Sequence, residues 1–210
     1  MANYEELSQS VIAGQMERVK ALTQQAIDSG ADPVEIINQG LIPGMTVVGA
    51  RFKAGQMFVP EVLMSARAMN AGMELVKPLI VGQDLPSAGK VVIGTVKGDL
   101  HDIGKNLVAM MLESAGFSVV NLGVDVSPEK FAQAVKEHKP GILGMSALLT
   151  TTMLSMRDTI EVLKEEGLRD KVKVIIGGAP ISQDFADEIG ADGFAPDAAS
   201  ATELCKKLLA

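Results

Sequence analysis

Near the middle of the chain, the stretch Lys97-Gly98-Asp99-Leu100-His101-Asp102-Ile103-Gly104 sets a carboxylate two residues before a histidine. In extended backbone, residues two apart share a side, so Asp99 and His101 can touch. A histidine that binds a metal through one ring nitrogen needs its other N–H held by an acceptor, commonly a carboxylate, which also raises the ligand's basicity. Asp99 is placed to be that acceptor. Gly104 removes a side chain at the start of the next helix, so a bulky group can approach the backbone, and Asp102 is placed to cap that helix. The second histidine, His138, ends a helical stretch ahead of Lys139-Pro140-Gly141 and reads as a solvated residue there.

Two more stretches carry polar or small residues at matching places. Ser146, Thr150, Thr151 and Thr152 make Ser146–Met153 rich in hydroxyls, Gly177-Gly178 is expected to leave open space over a sheet, and Phe194–Ser200 is a third small-residue segment. Such loops around one histidine imply a large ligand with a long appendage. Composition narrows the chemistry further. One cysteine, Cys205, and two histidines are too few for a closed Cys/His zinc site, and a lone cysteine forms no internal disulfide. The net charge of -7 argues against nucleic acid as a partner. No apolar run is long enough to span a membrane, and the N-terminal stretch is mixed and acidic, so a soluble cytoplasmic protein is expected.

The elements that must position these residues differ between the two halves. From Tyr4 to about Val81, apolar residues recur at helical spacing, interrupted by Ala13-Gly14 and Ser29-Gly30-Ala31-Asp32-Pro33. Helices are expected at roughly 4–12, 15–29, 33–53 (bent near Pro43-Gly44) and 58–82, and short connections favour an antiparallel four-helix bundle. Gly82–Gly89 reads as a linker, dividing the chain into domains 1–87 and 88–210. Beyond it, strands at 90–96, 117–123, 141–146, 173–178 and 191–196 alternate with helices at 103–115, 128–138, 152–167, 181–189 and 198–209. Five such units predict a doubly wound, Rossmann-like α/β domain with a parallel sheet of order 2-1-3-4-5. In that order strands one and three are neighbours, and ligands bind beyond their carboxyl ends, where Asp99, His101 and the Ser146 loop fall.

Each of these residues also has a plainer use: a loop histidine at the surface, an aspartate as a cap, a Gly-Gly pair for tight packing. A receiver-type signalling domain has the same strand order, but its phosphorylatable aspartate follows the middle strand, where Ser146 stands here. Taken in order, D-x-H-x-x-G (Asp99, His101, Gly104), S-x-L (Ser146, Leu148) and G-G (Gly177, Gly178) resemble the signature of cobalamin-binding domains that hold a cobalt corrinoid base-off, with a protein histidine on cobalt. The first half, from Gly44 to Pro78, resembles the helical cap of B12-dependent methionine synthase and of the corrinoid proteins of methanogens and acetogens.

The resemblance implies a methyl carrier that binds cobalamin or a related cobamide, cycles between Co(I) and methyl-Co(III), and has no catalysis of its own. A substrate-specific methyltransferase would load it, a second one using tetrahydrofolate or a thiol would unload it, and a reductive activator would rescue it. His101 would be the metal ligand, with Asp99 and Thr152 as its proton relay; Thr152 stands where methionine synthase has serine. Gly98, Leu100, Asp102, Ile103 and Gly104 would surround the histidine, and Ser146, Leu148, Thr150, Gly177, Gly178 and Ala198 would line the tunnel for the nucleotide tail. Phe52, Val59 and Val62 would shield the methyl, with Gly82–Gly89 as the hinge of the cap. An adenosylcobalamin mutase subunit, a B12 sensor and a flavodoxin-like module without cobalt are the alternatives.

Overall fold

A computed structural model describes residues 3–80 and 88–210. They fall into two compact units, one formed largely by the helices before position 80 and one by Ala88–Glu113 with Phe117–Ala210. The expected linker lies, up to Ser87, outside the described residues.

The helical unit consists of four runs. α1 (Tyr4–Ile12) is capped by Asn3, whose side chain accepts the Glu6 N–H, and α2 (Met16–Asp28) follows after a short turn. The third run begins at Asp32, which accepts the Val34 and Glu35 N–H groups ahead of α3 (Pro33–Glu35), and continues through a π-helical turn (Ile36–Leu41) into α4 (Ile42–Lys53). The irregularity expected at Pro43-Gly44 thus sits one turn earlier. Pro43 has no N–H for the carbonyl four residues back and its ring crowds that carbonyl, so the preceding turn widens. The Ile42 N–H accordingly reaches the Ile37 carbonyl, five residues back. α5 (Val59–Val76) tightens into a 3-10 turn (Lys77–Ile80) around Pro78. α2 packs on α5 and α1 on α4. The Ser65 hydroxyl donates to the Ile12 carbonyl at 3.1 Å, so the buried stripe Val62, Ser65, Ala66, Met69 faces the bundle interior.

The second unit is the doubly wound domain. β1 (Lys90–Thr95), β2 (Ser118–Asn121), β3 (Ile142–Ser146), β4 (Lys173–Gly177) and β5 (Gly193–Phe194) form one parallel sheet of order β2-β1-β3-β4-β5. The helices are α6 (Ile103–Ser114), α7 (Pro128–His138), α8 (Leu154–Glu165), α9 (Gln183–Ile189) and α10 (Ala198–Leu209). Strand residues alternate between faces. Val92, Leu143, Met145, Val174 and Ile176 pack with Phe131, Val135, Ile160 and Phe185 in a single buried cluster. Parallel register brings Thr95 opposite Ser146 and Ser146 opposite Gly177, so the three strand ends that matter form one row. No described helix is long and apolar enough to cross a membrane.

Three boundaries differ from expectation for identifiable reasons. α9 starts at Gln183 instead of 181 because the Ser182 hydroxyl accepts the Phe185 N–H at 3.2 Å and so sets the start. α8 starts at Leu154 because Thr152 belongs to a turn whose N–H bonds to the Leu149 carbonyl. β5 is two residues long, since the Asp192 carboxylate takes the Val174 N–H at 2.7 Å.

Gly178 has φ +132°, and a Cβ there would lie 1.8 Å from the Ala147 carbonyl oxygen. Backbone contact of that kind cannot be relieved by a rotamer change. Gly178→Ala is expected to destabilise the protein by about 2–4 kcal/mol, read as a lower urea midpoint at unchanged slope.

Candidate functional site

β1 leads into a tight turn in which the Asp99 N–H donates to the Val96 carbonyl at 3.1 Å and Gly98 takes φ +82°, the left-handed third position of a type II turn. The buried Thr95 hydroxyl donates to the His101 carbonyl at 2.9 Å, tying the far end of the loop back to the strand. Between these ties the Asp99 side chain points inward and is fully buried.

Both carboxylate oxygens of Asp99 are engaged. Oδ1 accepts the His101 N–H at 3.0 Å and lies 2.7 Å from His101 Nδ1. Oδ2 accepts the Leu148 N–H at 2.8 Å, the Leu149 N–H at 3.4 Å and the Thr152 hydroxyl at 2.8 Å. Burial opposes the charge. The bonds from the His101 and Leu148 N–H groups, the Thr152 hydroxyl and the His101 ring outweigh it, and hold the carboxyl well below its usual range. An ionised carboxylate only accepts, so Nδ1 must carry the ring proton, and in the neutral ring Nε2 keeps its lone pair. The His101 side chain is 53 % exposed, and Nε2 makes no hydrogen bond among the described residues.

The structure therefore brings Asp99, His101 and Thr152 together, along with the main chain of Leu148. Around them, Leu100 is 73 % and Ile103 82 % exposed, with Leu148 and Leu149 also outward. A Cβ on Gly104 would meet nothing within 4 Å, as expected for an approachable backbone. The Asp102 carbonyl accepts the Asn106 N–H and its carboxylate the Asn106 side chain. Ser146 is half-buried at the end of β3, Thr150 and Thr151 are exposed, and Ala198 is buried at the start of α10 under the Asp197 cap.

Two expectations need correction. Gly177-Gly178 does not open space over the sheet: Cβ atoms there would run into the carbonyls of Ala195 and Ala147, so the pair lets the loops after β3, β4 and β5 approach one another. Val62 lies in the bundle core on the Ser65 stripe, leaving half-buried Phe52 and exposed Val59 accessible. Sequence reasoning also missed Thr95, whose place at a strand end beside the Asp99 loop was its only signal, and Lys105. The Lys105 ammonium is buried, which lowers its pKa, and it donates to Asn106 Oδ1 and Asn121 Oδ1, joining α6 to β2. Burial pushes the Cys205 thiol up to about 12 and so removes it as a nucleophile.

A family model described as a B12 binding domain matches residues 89–204, and a second so described matches residues 4–77. The chain belongs to the B12-binding family. Over 212 residues it is 46% identical to a corrinoid protein of Desulfitobacterium hafniense strain Y51, covering 100% of this chain and 98% of that one. Dimethylamine corrinoid protein 1 of Methanosarcina acetivorans is 48% identical over 207 residues, covering 98% and 97%. A chain in the crystal structure of the methanol:cobalamin methyltransferase complex from Methanosarcina barkeri superposes with a TM-score of 0.87 at 35% identity, covering 97% of this chain and 78% of that one.

The site of this B12-binding chain fits a corrinoid on its own chemistry. Among the described residues no group of three or more His, Cys, Asp or Glu side chains could hold a bare metal ion. A single imidazole with a free lone pair suits a metal whose other ligands come with a macrocycle, and exposed leucine and isoleucine beside it suit the apolar face of one.

The pH behaviour of Asp99 follows from its partners. Its folded carboxyl titrates below the ordinary 3.8, so as the pH falls the unfolded chain takes up that proton first. The stability it contributes is complete above the unfolded value and is lost as the pH drops through the folded one. Asp99→Asn should be less stable than the parent by about 2 kcal/mol or more at pH 7. In urea titrations of both proteins that gap should hold down to about pH 5 and narrow below about pH 4. A gap independent of pH would show that the carboxylate's charge does not matter.

Proposed function

We propose that the chain is the methyl carrier of a corrinoid-dependent methyltransferase system, with His101 Nε2 as axial ligand to a corrinoid held base-off, His-on. The observation that carries this reading is the buried Asp99 carboxylate, which keeps the proton on Nδ1 and the lone pair on Nε2. When bound, the corrinoid supplies a cobalt centre that takes a methyl group in its reduced form and releases it to a nucleophile.

The residues of the chain orient and proton-couple that centre. Asp99 sets the imidazole tautomer through Oδ1 and receives the Thr152 hydroxyl on Oδ2. Thr152 Oγ1 has two acceptors in reach, Asp99 Oδ2 at 2.8 Å and the Leu149 carbonyl at 3.0 Å. Its proton can turn from the carboxylate to the carbonyl if the carboxylate takes up a proton from the ring. In buried surroundings such coupling is large. Thr152 thus fills the relay place that a serine holds in methionine synthase, with a stiffer χ1. Gly98, Leu100, Asp102, Ile103 and Gly104 would meet the macrocycle, and Ser146, Leu148, Thr150 and Ala198 would lie along the nucleotide tail, with Gly177 and Gly178 setting the approach of the loops behind them. Residues 1–87 are read as a cap domain, in which Phe52 and Val59 are the apolar candidates left on the surface of the helical unit.

The names of the relatives support a small methylated amine or methanol as methyl source. A substrate-specific methyltransferase loads the carrier, a second using tetrahydrofolate or a thiol unloads it, and a reductive activator restores it. An unpaired, buried Cys205 accords with the reducing cytoplasm as its place of work.

Reconstitution with hydroxocobalamin tests the reading. The parent should bind one equivalent and, once reduced and treated with methyl iodide, give a methyl-Co(III) visible spectrum of the nitrogen-ligated type, with the nitrogen supplied by the protein. His101→Ala should lose that signature and bind about 10–100-fold more weakly. If neither protein takes up cobalamin, the carrier assignment fails. Gly104→Ala separates site from scaffold: it should leave the apo protein as stable or add about 0.5 kcal/mol, yet weaken cobalamin uptake.

A further inference from the structure

The loop that carries Asp99 and His101 is held from a second side by a residue outside every motif. Asp125 lies in the turn between β2 and α7. Its N–H donates to the Asp99 main-chain carbonyl at 3.1 Å, and its Oδ1 accepts the Gly98 N–H at 2.7 Å. One residue therefore grips both peptide groups that flank the start of the motif. The turn is itself anchored to β1: the Thr95 N–H donates to the Gly123 carbonyl, the Val126 N–H to the Thr95 carbonyl, and Val96 bridges Val126.

Asp125 adopts φ +51°, one of two such non-glycine residues among those described. The other, Lys139, is the left-handed C-cap of α7, a common way to end a helix. Asp125 ends no helix. A left-handed backbone is disfavoured for L-residues, though least so for aspartate and asparagine, and an exposed carboxylate has water as a ready partner. Here the left-handed conformation turns both the N–H and the carboxylate of Asp125 onto Gly98 and Asp99. Strain sustained by bonds to a functional loop, and released to no other purpose, points to positioning.

We propose that Asp125 is a positioning residue for His101: by fixing the Gly98–Asp99 main chain, it sets the direction from which the Asp99 carboxylate reaches both the imidazole and the β3 loop. The inference rests on the reading of His101 as axial ligand. The bonds at stake are short, 2.7 Å to Nδ1 and 2.8 Å to Leu148 and Thr152, and a shift of the Asp99 backbone by about 1 Å would carry them out of hydrogen-bonding range. Asp125 makes no bond to His101 itself, so it acts on the imidazole only through the Gly98–Asp99 main chain.

Two substitutions separate the carboxylate from the backbone conformation. Asp125→Gly keeps the left-handed backbone without strain and removes the acceptor, so the fold is preserved. Asp125→Asn keeps both an Oδ1 acceptor and a tolerance for φ +51°. Amide exchange and ring nitrogen shifts measured by NMR on the cofactor-free protein read the result at His101 and Leu148. With Asp125→Gly, exchange at the His101 and Leu148 N–H groups should rise about tenfold or more, the size of a lost charged hydrogen bond, and the ring nitrogens should move away from a fixed Nδ1–H form. Asp125→Asn should restore parental values to within about threefold. The dissociation constant for hydroxocobalamin should rise in the same order, Gly above Asn. If Asp125→Gly speeds exchange at Gly98 alone and leaves His101 and Leu148 as in the parent, Asp125 only closes its own turn and the proposal falls. The measurements on the cofactor-free protein do not depend on what His101 ligates, so failure of the axial reading is seen separately through His101→Ala.

Discussion

A single buried negative charge organises the second unit. Asp99 is removed from water, which for an unpaired carboxylate would be prohibitive. It stays ionised because its oxygens receive donors from its own loop and from the loop after β3: the His101 main chain and ring on Oδ1, the Leu148 main chain and the Thr152 hydroxyl on Oδ2. Those donors can converge only if β1 and β3 are neighbours whose following segments end at the same level. The β2-β1-β3-β4-β5 order supplies the first condition, and the pairing of Thr95 with Ser146 the second. The charge in turn dictates the tautomer of His101. Sheet topology and imidazole chemistry are thus linked through one carboxylate.

Around this link the glycines divide into two kinds that composition cannot tell apart. Gly104 faces open space, where a Cβ would meet nothing within 4 Å. Gly178 faces the Ala147 carbonyl and Gly177 that of Ala195, so their missing side chains are already filled by protein. The Gly-Gly pair acts on the site indirectly, by letting the β3 loop sit low enough for Leu148 and Thr152 to reach Asp99. The buried Lys105 plays a comparable part on the other flank, with its ammonium shared between two asparagine oxygens across α6 and β2.

The helical unit makes a different point about proline. Pro43 was expected to bend a helix where it stands, but the run from Pro33 to Lys53 stays helical because the preceding turn opens to a five-residue hydrogen bond. Such relief costs little where the next residues, Met45 and Val48, are buried and hold the continuing helix in register.

What the sequence by itself determined is whatever depends on local chemistry and periodicity: the helical half, five alternating strands and helices, the 2-1-3-4-5 order, and the adjacency of Asp99 and His101, two residues apart. The B12-binding signature was legible as a resemblance, carried by D-x-H-x-x-G, S-x-L and G-G, and periodicity added only that these motifs fall at strand ends. Thr152 as a partner of Asp99 was implied by the resemblance; only the tertiary structure decided that the Leu148 N–H, 49 residues away, meets the same oxygen, that Thr95 and Asp125 brace the loop, that Val62 belongs to the bundle core and that Gly177-Gly178 is a contact and not an opening. Periodicity says which side of an element a residue occupies. It cannot say how closely two backbones from distant parts of the chain approach, and at this site those approaches determine where the charge and the lone pair end up.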